Sequence, residues 1–245
     1  MDNLKIYYIN LRRSKNRDIF MQNQFKELGL NAIRVEAIDG KELDKSYISN
    51  IISKLKLKNE HYTLPKPAEI GVYLSHKKIW EMVSNQKEEY ALILEDDALI
   101  DKKLIKDLKN LLSLLNEGEV LDISGLKGFL PINKRKKEQV EIVQYLTPSL
   151  VIISTIFTKK AAKIMLDTFN EYSVPVDNML QQVYKHKLNV WITKYPYVKT
   201  NYKNLGGSTI QKQHKKSLKD KIRREILRPI YRLKTHIKNF IGYIK

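Results

Sequence analysis

Short runs rich in β-branched and aromatic residues alternate along the chain with longer segments whose apolar residues recur every three or four positions. The short runs predict strands, and the longer segments predict amphipathic helices. Strands are predicted at residues 5–9, 32–37, 90–94, 120–124, 140–146, 150–157 and 190–192. Helices are predicted between Ser14 and Gly29, in a Lys-rich stretch up to Lys58, at 68–84 and 104–115, and after Thr158 and Pro175. Residues 125–137 contain Gly, Pro and a basic run, which predicts a loop.

Alternation of strands and helices favours an α/β fold, in which a sheet is covered by helices. In such folds, ligands bind at the carboxyl ends of the strands. The residues that follow the predicted strands are therefore candidates for a site. They are Asn10, Leu11, Arg12 and Arg13 after the first strand, Asp39 and Gly40 after the second, and Glu95, Asp96 and Asp97 after the third.

The last part of the chain, residues 211–245, is predicted to be a helical arm that follows a domain of residues 1–210. Its apolar residues succeed one another at intervals of three and four, and Lys and Arg fill the other faces. Pro229 is expected to break the arm into two helices or to lie in the first turn of the second. The apolar positions are Leu218, Ile222, Ile226, Ile230, Leu233, Ile237, Phe240 or Ile241, and Ile244.

Much of the positive charge belongs to this arm. Of the 245 residues, 45 are Lys or Arg and 27 are Asp or Glu, which gives a formal net charge of +18. The arm has twelve basic and two acidic residues and carries +10, so the first 210 residues carry +8. A basic amphipathic helix is typical of segments that lie on an anionic membrane surface. Packing on the body, pairing of two chains as a homodimer, and attachment to RNA are alternatives.

The composition excludes several kinds of site. The chain has no cysteine, which excludes disulfides, cysteine-ligated metals and thiol nucleophiles. A hydrophobic fraction of 42% excludes a fully disordered chain. The first residues lack the apolar stretch of a signal peptide, and no apolar run is long enough to span a bilayer. We therefore expect a cytoplasmic protein that is at most peripheral on a membrane.

The acidic triplet Glu95, Asp96 and Asp97 follows an apolar strand directly. Adjacent carboxylates repel one another unless a cation or hydrogen-bond donors neutralise them. In an extended backbone, Glu95 and Asp97 would share one face, where they could hold Mg²⁺ or Mn²⁺ against a diphosphate. The alternative is a solvated turn whose acids favour the start of the next helix.

Several segments, taken in order, resemble glycosyltransferase family 25, which includes the lipooligosaccharide galactosyltransferases and is related to the collagen galactosyltransferases. The resemblance covers residues from about 6 to 210. The segments that carry it are Ile9-Asn10-Leu11 with Arg17, Ala37-Ile38-Asp39-Gly40, Glu69 to His76, Ala91 to Asp97, Thr155 to Ala162, Val174-Pro175-Val176-Asp177 and Ser208-Thr209-Ile210.

This resemblance implies a GT-A-type nucleotide-sugar-binding fold with a Rossmann-like sheet, a UDP-sugar donor such as UDP-galactose, and inversion at the anomeric carbon. It also implies Mn²⁺ or Mg²⁺ as cofactor, with Glu95 and Asp97 as metal ligands. Asp177 is the candidate catalytic base. The candidate donor-binding residues are Asn10, Leu11, Arg17, Asp39, Gly40, His76, Glu95 and Asp96.

Each of these residues also has a purely structural alternative. Arg17 could be a helix-surface residue, and Asp39 before Gly40 could belong to a plain turn. His76 lies among apolar residues and could be a core histidine, while Asp177 follows Pro175 and could cap a helix.

The combined interpretation is a metal-assisted, inverting hexosyltransferase. Its acceptor would be a saccharide or glycolipid of a lipooligosaccharide or related surface glycan, on the cytosolic face of a bacterial inner membrane. One alternative is a non-catalytic basic module that binds nucleic acid or an anionic membrane, although an acidic triplet would repel phosphates. Another is a carboxylate–metal enzyme of phosphoryl transfer.

Overall fold

A computed structural model of the chain describes residues 3–58, 63–149, 152–207 and 218–244. The strands are β1 (Leu4–Asn10), β2 (Ile33–Glu36), β3 (Tyr90–Glu95), β4 (Ala98–Ile100), β5 (Glu119–Asp122), β6 (Phe129–Lys137), β7 (Val140–Thr147), β8 (Ser154–Thr158), β9 (Asn189–Thr193) and β10 (Val198–Thr200). The helices are α1 (Lys15–Leu28), α2 (Lys45–Lys58), α3 (Pro67–Asn85), α4 (Lys103–Ser113), α5 (Lys159–Thr168), α6 (Val176–Gln181), α7 (Val183–His186) and α8 (Leu218–Ile244).

Eight of these strands form one mixed sheet in the order β2-β1-β3-β8-β5-β9-β7-β6, and β4 pairs with β10 in a separate antiparallel ribbon. β1 runs parallel to β2 and β3. β8 lies between β3 and β5 and is antiparallel to both. As a result, β1, β2, β3 and β5 end at the same edge of the sheet, which is where ligand sites of α/β folds form.

Helices cover both faces of the sheet. Successive residues of a strand point to opposite faces. In β3, Ala91 and Ile93 join a core formed with α3 and α5 around Trp80. Leu92 and Leu94 join a second core that is formed with α1 and α4. The predicted α/β sheet covered by helices, with a helical C-terminal arm, is therefore confirmed.

Some element predictions are wrong. Residues 125–137, predicted to be a loop, contain strand β6, which forms an antiparallel hairpin with β7 at the edge of the sheet. Its side chains are mostly exposed and several are Lys or Arg, as is typical of edge strands, so the alternating apolar pattern is missing. The strand predicted at 150–157 begins at Ser154, and residues 150 and 151 lie outside the described residues. The strands β4 and β10 were not predicted, because each has only three residues.

The arm forms one helix, α8, that continues through Pro229, so the predicted break is wrong. A proline removes one backbone donor from a helix. Pro229 is exposed, so this loss falls on the solvent side of α8. The predicted domain boundary after residue 210 and the segment 208–210 lie outside the described residues. In the ranges that the structure describes, no helix has the length and apolar character needed to cross a membrane.

Candidate active site

The carboxyl ends of β1 and β3 and the loop after β2 surround a cavity of about 330 Å³. The first half of α3 forms one wall, and residues at and after the end of β10 form another. Asn10 is buried behind this cavity, and Asp177 does not line it. The predicted residues that line it are Leu11, Arg17, Asp39, Gly40, His76, Glu95, Asp96 and Asp97.

Asp96 is neutralised by its neighbours. Its carboxylate accepts a hydrogen bond of 2.9 Å from Asn10 Nδ2 and one of 2.5 Å from Arg17 Nη1. The second terminal nitrogen of Arg17 donates to the carbonyl of Gly207 at 2.8 Å. Arg34 donates to Asn10 Oδ1 and so holds that amide in place. The guanidinium of Arg17 thus fixes Asp96 and Gly207, and its contact with a donor diphosphate stays a prediction.

Glu95 and Asp97 are not neutralised in this way. Asp97 Oδ1 is buried and has no hydrogen-bond partner among the described residues, and Arg17 Nη1 lies 3.8 Å from Asp97 Oδ2. Burial raises the pKa of Asp97, despite the nearby Arg17. Burial, followed by the charges of Asp97, Asp177 and Asp96, raises the pKa of Glu95 well above its usual range. The cavity therefore contains a pair of carboxylates whose ionised forms are disfavoured by burial, and Arg17 compensates the charge of Asp97 only in part.

This carboxylate pair fits a divalent cation that is shared with a phosphorylated ligand. No group of three or more His, Asp or Glu side chains within the described ranges could hold a metal by itself. Mg²⁺ is commonly held by one or two carboxylates together with substrate phosphates and water, and Mn²⁺ prefers similar oxygen ligands. The unpaired oxygen of Asp97 is the kind of ligand that such an ion requires.

The backbone conformation of the acidic triplet differs from the extended conformation that the sequence predicts. Asp96 and Asp97 form a turn between β3 and β4, so the expected extended backbone across the triplet is wrong. The turn directs Asp96 toward α1, while Asp97 is hydrogen-bonded by the Thr200 side chain, which lowers its pKa in part. Thr200 and Tyr202 line the cavity and were missed, because β10 has no recognisable sequence pattern.

The loop after β2 is held closely against the start of α3. A Cβ atom on Gly40 would lie 1.9 Å from the carbonyl oxygen of Pro67, so only glycine allows this approach. Ser75 Oγ accepts from the Ile38 backbone N–H at 2.8 Å. Asp39 forms a 3.0 Å ion pair with Arg13 and accepts from the Lys41 N–H, so it both shapes the turn and lines the cavity.

His76 lines the cavity and also belongs to the core. It is 2% exposed, and its ring packs against Trp80 with ring centroids 6.0 Å apart. Burial lowers the pKa of His76 to about 4, so the imidazole is neutral at pH 7. A neutral ring can donate or accept a hydrogen bond, but it cannot act as a cation for phosphate.

Asp177 lies in the first turn of α6. The N-cap of this helix is Pro175, and no side-chain capping hydrogen bond is formed. Burial, with a smaller contribution from the charge of Glu69, raises the pKa of Asp177 to about 6. The charge of Asp177 in turn contributes to the raised pKa of Glu95, so the two carboxylates interact electrostatically.

A further carboxylate at this edge was missed by the sequence analysis. Asp122 ends β5, is 4% exposed, and accepts hydrogen bonds from Ser124 N and Ser149 Oγ at 2.7 and 3.0 Å. Burial raises the pKa of Asp122 to about 6. The rule that selected Glu95 did not find it, because the strand predicted at 120–124 continues two residues past Asp122, whereas β5 ends at Asp122.

An α/β sheet with a cavity at its carboxyl edge and a pair of carboxylates in that cavity is typical of proteins that bind phosphorylated ligands together with a cation. A model of the family described as glycosyltransferase family 25 (LPS biosynthesis protein) matches residues 3–180. The chain belongs to this family, which confirms the resemblance of the sequence segments. The GT-A-type fold expected of the family agrees with the observed sheet.

This chain is similar to individual relatives over only part of their length. A glycosyltransferase 25 family member of Drosophila melanogaster is 26% identical over 78% of this chain and 32% of its own length. Procollagen galactosyltransferase 2 of Mus musculus is 30% identical over 60% of this chain and 23% of its own length. The chain thus spans a third or less of these relatives. The inositol-1-phosphate CTP transferase from T. maritima has a TM-score of 0.42 and 11% identity over 91% of this chain and 95% of that chain, and we infer no function from it.

Proposed function

We propose that the chain is an inverting glycosyltransferase that uses a nucleotide-sugar donor. The observation that carries the proposal is the carboxylate pair Glu95 and Asp97 in the cavity at the carboxyl edge of the sheet. Burial raises the pKa of both, and Asp97 Oδ1 has no hydrogen-bond partner among the described residues. Membership of glycosyltransferase family 25 gives this site its reaction class.

The donor in this proposal is a UDP-hexose, with UDP-galactose as the first candidate. The name of the mouse relative, a procollagen galactosyltransferase, supports galactose. The nucleotide and diphosphate would occupy the cavity beside Asp39, Gly40 and Asp96. Mn²⁺ or Mg²⁺, held by Glu95 and Asp97, would supply positive charge for the departing diphosphate.

Asp177 is the proposed base. In a single displacement, an acceptor hydroxyl loses its proton to the base, its oxygen bonds to the anomeric carbon, and the bond from that carbon to UDP breaks. A carboxylate whose pKa is about 6 is ionised at pH 7 and still accepts a proton readily. Its electrostatic interaction with Glu95, together with its absence from the cavity lining, suits a group that contacts the acceptor.

The proposed acceptor is a saccharide or glycolipid of a lipooligosaccharide or related surface glycan. Support comes from the family description, which names LPS biosynthesis. Such a substrate would place the protein at the cytosolic face of an inner membrane.

The proposal is tested by thermal shift with UDP-galactose, UDP-glucose and GDP-mannose, each with and without Mn²⁺. We expect the melting temperature to rise only with a UDP-sugar and Mn²⁺ together, because the carboxylate pair needs the ion in order to hold a diphosphate. Asp97→Asn should abolish the rise. Asp167→Asn, a change on the exposed surface of α5, is the control and should keep it.

Reaction products separate glycosyl transfer from phosphoryl transfer. Release of UDP and a glycosylated acceptor supports the proposal, whereas release of inorganic phosphate contradicts it. Absence of any nucleotide response together with tight RNA binding would instead favour a non-catalytic basic module.

A further inference from the structure

Polar residues attach helix α8 to the body of the protein. The buried amide nitrogen of Asn239 donates to the carbonyl oxygens of Leu146 and Gln181 at 3.0 and 2.9 Å, and to Thr147 Oγ1 at 3.0 Å. Thr235, one turn earlier, is 3% exposed. Because a buried amide is costly unless it is fully bonded, these contacts fix the rotation of α8 about its axis.

The opposite side of α8 is apolar and exposed. Two residues along a helix rotate a side chain by about 200°, so Ile237 lies across the helix from Thr235. A surface helix normally buries its apolar stripe against the core, whereas α8 buries a polar side and leaves the apolar stripe outside. The exposed stripe consists of Ile226, Ile230, Leu233, Ile237, Phe240, Ile241 and Ile244, each between 44% and 64% exposed.

The start of β6 extends this apolar surface. Phe129 is 51% exposed, and its ring stacks on His236 with ring centroids 4.1 Å apart. His236 lies one turn from both Leu233 and Phe240. Leu130, which is 50% exposed, has a backbone φ of 55°, a conformation that L-residues rarely adopt. Two separate elements therefore present large apolar side chains at neighbouring positions.

Basic residues border the stripe. Between residues 225 and 244, Arg232, Lys234 and Lys238 are exposed, and Glu225 is the acidic residue. Pairing of two such stripes in a dimer would bring the basic borders of both copies together, which costs free energy. RNA would use the basic residues but would leave the apolar stripe in water. An anionic bilayer accommodates both the apolar stripe and the basic residues, because the stripe contacts acyl chains while the basic residues contact anionic headgroups.

We propose that the outward side of α8, together with Phe129 and Leu130, docks in the plane of an anionic lipid membrane. The hydrogen bonds of Asn239 hold the stripe outward before the membrane is met, so docking needs no rearrangement of the fold. The inference does not depend on the proposed reaction. It also fixes an orientation, because α8 contacts the end of α6, the helix that begins beside Asp177.

The test compares two triple variants of the full chain in co-sedimentation with vesicles of phosphatidylglycerol and phosphatidylcholine. Ile230→Gln, Leu233→Gln and Ile237→Gln together should weaken binding at least tenfold, because they remove apolar side chains from the stripe. The matched control, Ile19→Gln, Ile33→Gln and Leu57→Gln, changes exposed apolar residues on the body and should bind like the wild type. Vesicles of phosphatidylcholine alone should bind the wild type weakly.

Equal binding by both triple variants would overturn the proposal. A concentration-dependent dimer of the wild type that the stripe variant abolishes, without vesicle binding, would also overturn it in favour of a second copy of the chain.

A second measurement does not depend on folding of the triple variant. Because the chain has no cysteine, Ile237→Cys carries a single site for an environment-sensitive fluorophore. Its emission should shift to the blue when anionic vesicles are added, whereas the same probe at Leu57→Cys should not respond. An unchanged spectrum at position 237 under conditions where the protein co-sediments would contradict insertion of the stripe.

Discussion

The three carboxylates after β3 are neighbours in sequence, yet their surroundings differ. Asp96 is held by Asn10 and Arg17, while Asp97 keeps a buried oxygen without a partner. Burial raises the pKa values of Glu95, Asp97 and Asp177, so the site binds protons more tightly than free carboxylates do. A bound cation would lower these pKa values, because it stabilises the ionised carboxylates.

The first prediction concerns the proposed base. Asp177→Asn should lower kcat by about 100-fold or more, because an amide cannot accept the acceptor proton. UDP affinity should stay close to wild type, since Asp177 does not line the donor cavity. In the wild type, kcat should rise as the pH increases through about 6, where Asp177 loses its proton. Steady-state kinetics measure kcat and its pH dependence, and UDP titration measures the affinity. Unchanged turnover would contradict the role of Asp177 as the base.

The stability of the Asp177→Asn variant tests the raised pKa of Asp177. Burial raises the folded-state pKa of Asp177 from 3.8 to about 6, so the folded state binds the proton more tightly than the unfolded chain. Protonation of Asp177 therefore stabilises the folded state below about pH 4, and this stabilisation is lost as the pH rises through 6. Asp177→Asn should therefore be more stable than the wild type at pH 8, by about 3 kcal/mol at most, with a smaller difference at pH 4. Urea denaturation at the two pH values measures it.

At the scale of elements, the site depends on close contact between the loop after β2 and helix α3. The glycines at 40 and 71 allow this contact, because a Cβ at either position would meet backbone atoms closer than 3.0 Å. The loop carries Asp39, and the helix carries His76, so their contact sets the width of the cavity between them.

The second prediction tests this contact. In Gly71→Ala, the new Cβ would lie 2.5 Å from Ile38 O, so the variant should lose about 1–3 kcal/mol of stability and bind UDP more weakly. Gly242→Ala is the control, because its Cβ would meet only ordinary contacts at 3.7–3.8 Å inside α8. That control should be as stable as the wild type or more stable by about 0.5–1 kcal/mol. Thermal melts compare them, and equal loss in both would contradict the packing argument.

At the scale of the whole molecule, charge and apolar surface are distributed unevenly. The net charge of +18 includes +10 in residues 211–245, and the exposed apolar stripe lies on the described part of the same segment. Proteins that expose contiguous apolar surface of this kind generally use it for contact with another surface. Exposed basic residues and the apolar stripe both belong to the described part of α8, and this combination is what favours a membrane surface over an RNA partner.

The third prediction separates the contribution of the basic residues to membrane binding from that of the apolar stripe. Arg232→Gln and Lys234→Gln should each weaken binding to anionic vesicles by about fivefold at low salt. Raising NaCl from 0.1 to 1 M shortens the screening length from about 10 Å to about 3 Å, so it should weaken wild-type binding and reduce the effect of both substitutions. Co-sedimentation across the salt series measures this, and salt-independent binding would contradict a role for the basic border.

Much of the fold was predictable because local patterns report local structure. The strand Tyr90–Glu95 and the helix that ends at Gly29 follow directly from apolar spacing and a glycine in the left-handed conformation. Edge strand β6 was not predictable, since exposed Lys and Arg replace the apolar alternation there. The continuation of α8 through Pro229 was missed because an exposed break in the hydrogen-bond pattern costs less than a buried one.

The sequence by itself determined the α/β class, the family and most of the residues that meet in the cavity, because each follows from order along the chain. Only the tertiary structure decided how those residues are paired. Arg17 is engaged by Asp96, Thr200 contacts Asp97 from a distant strand, and the arm attaches by Asn239 and not by its apolar stripe. These pairings join residues about 60 to 100 positions apart, and spacing along a chain carries no information on which distant groups will share a hydrogen bond or a desolvated charge.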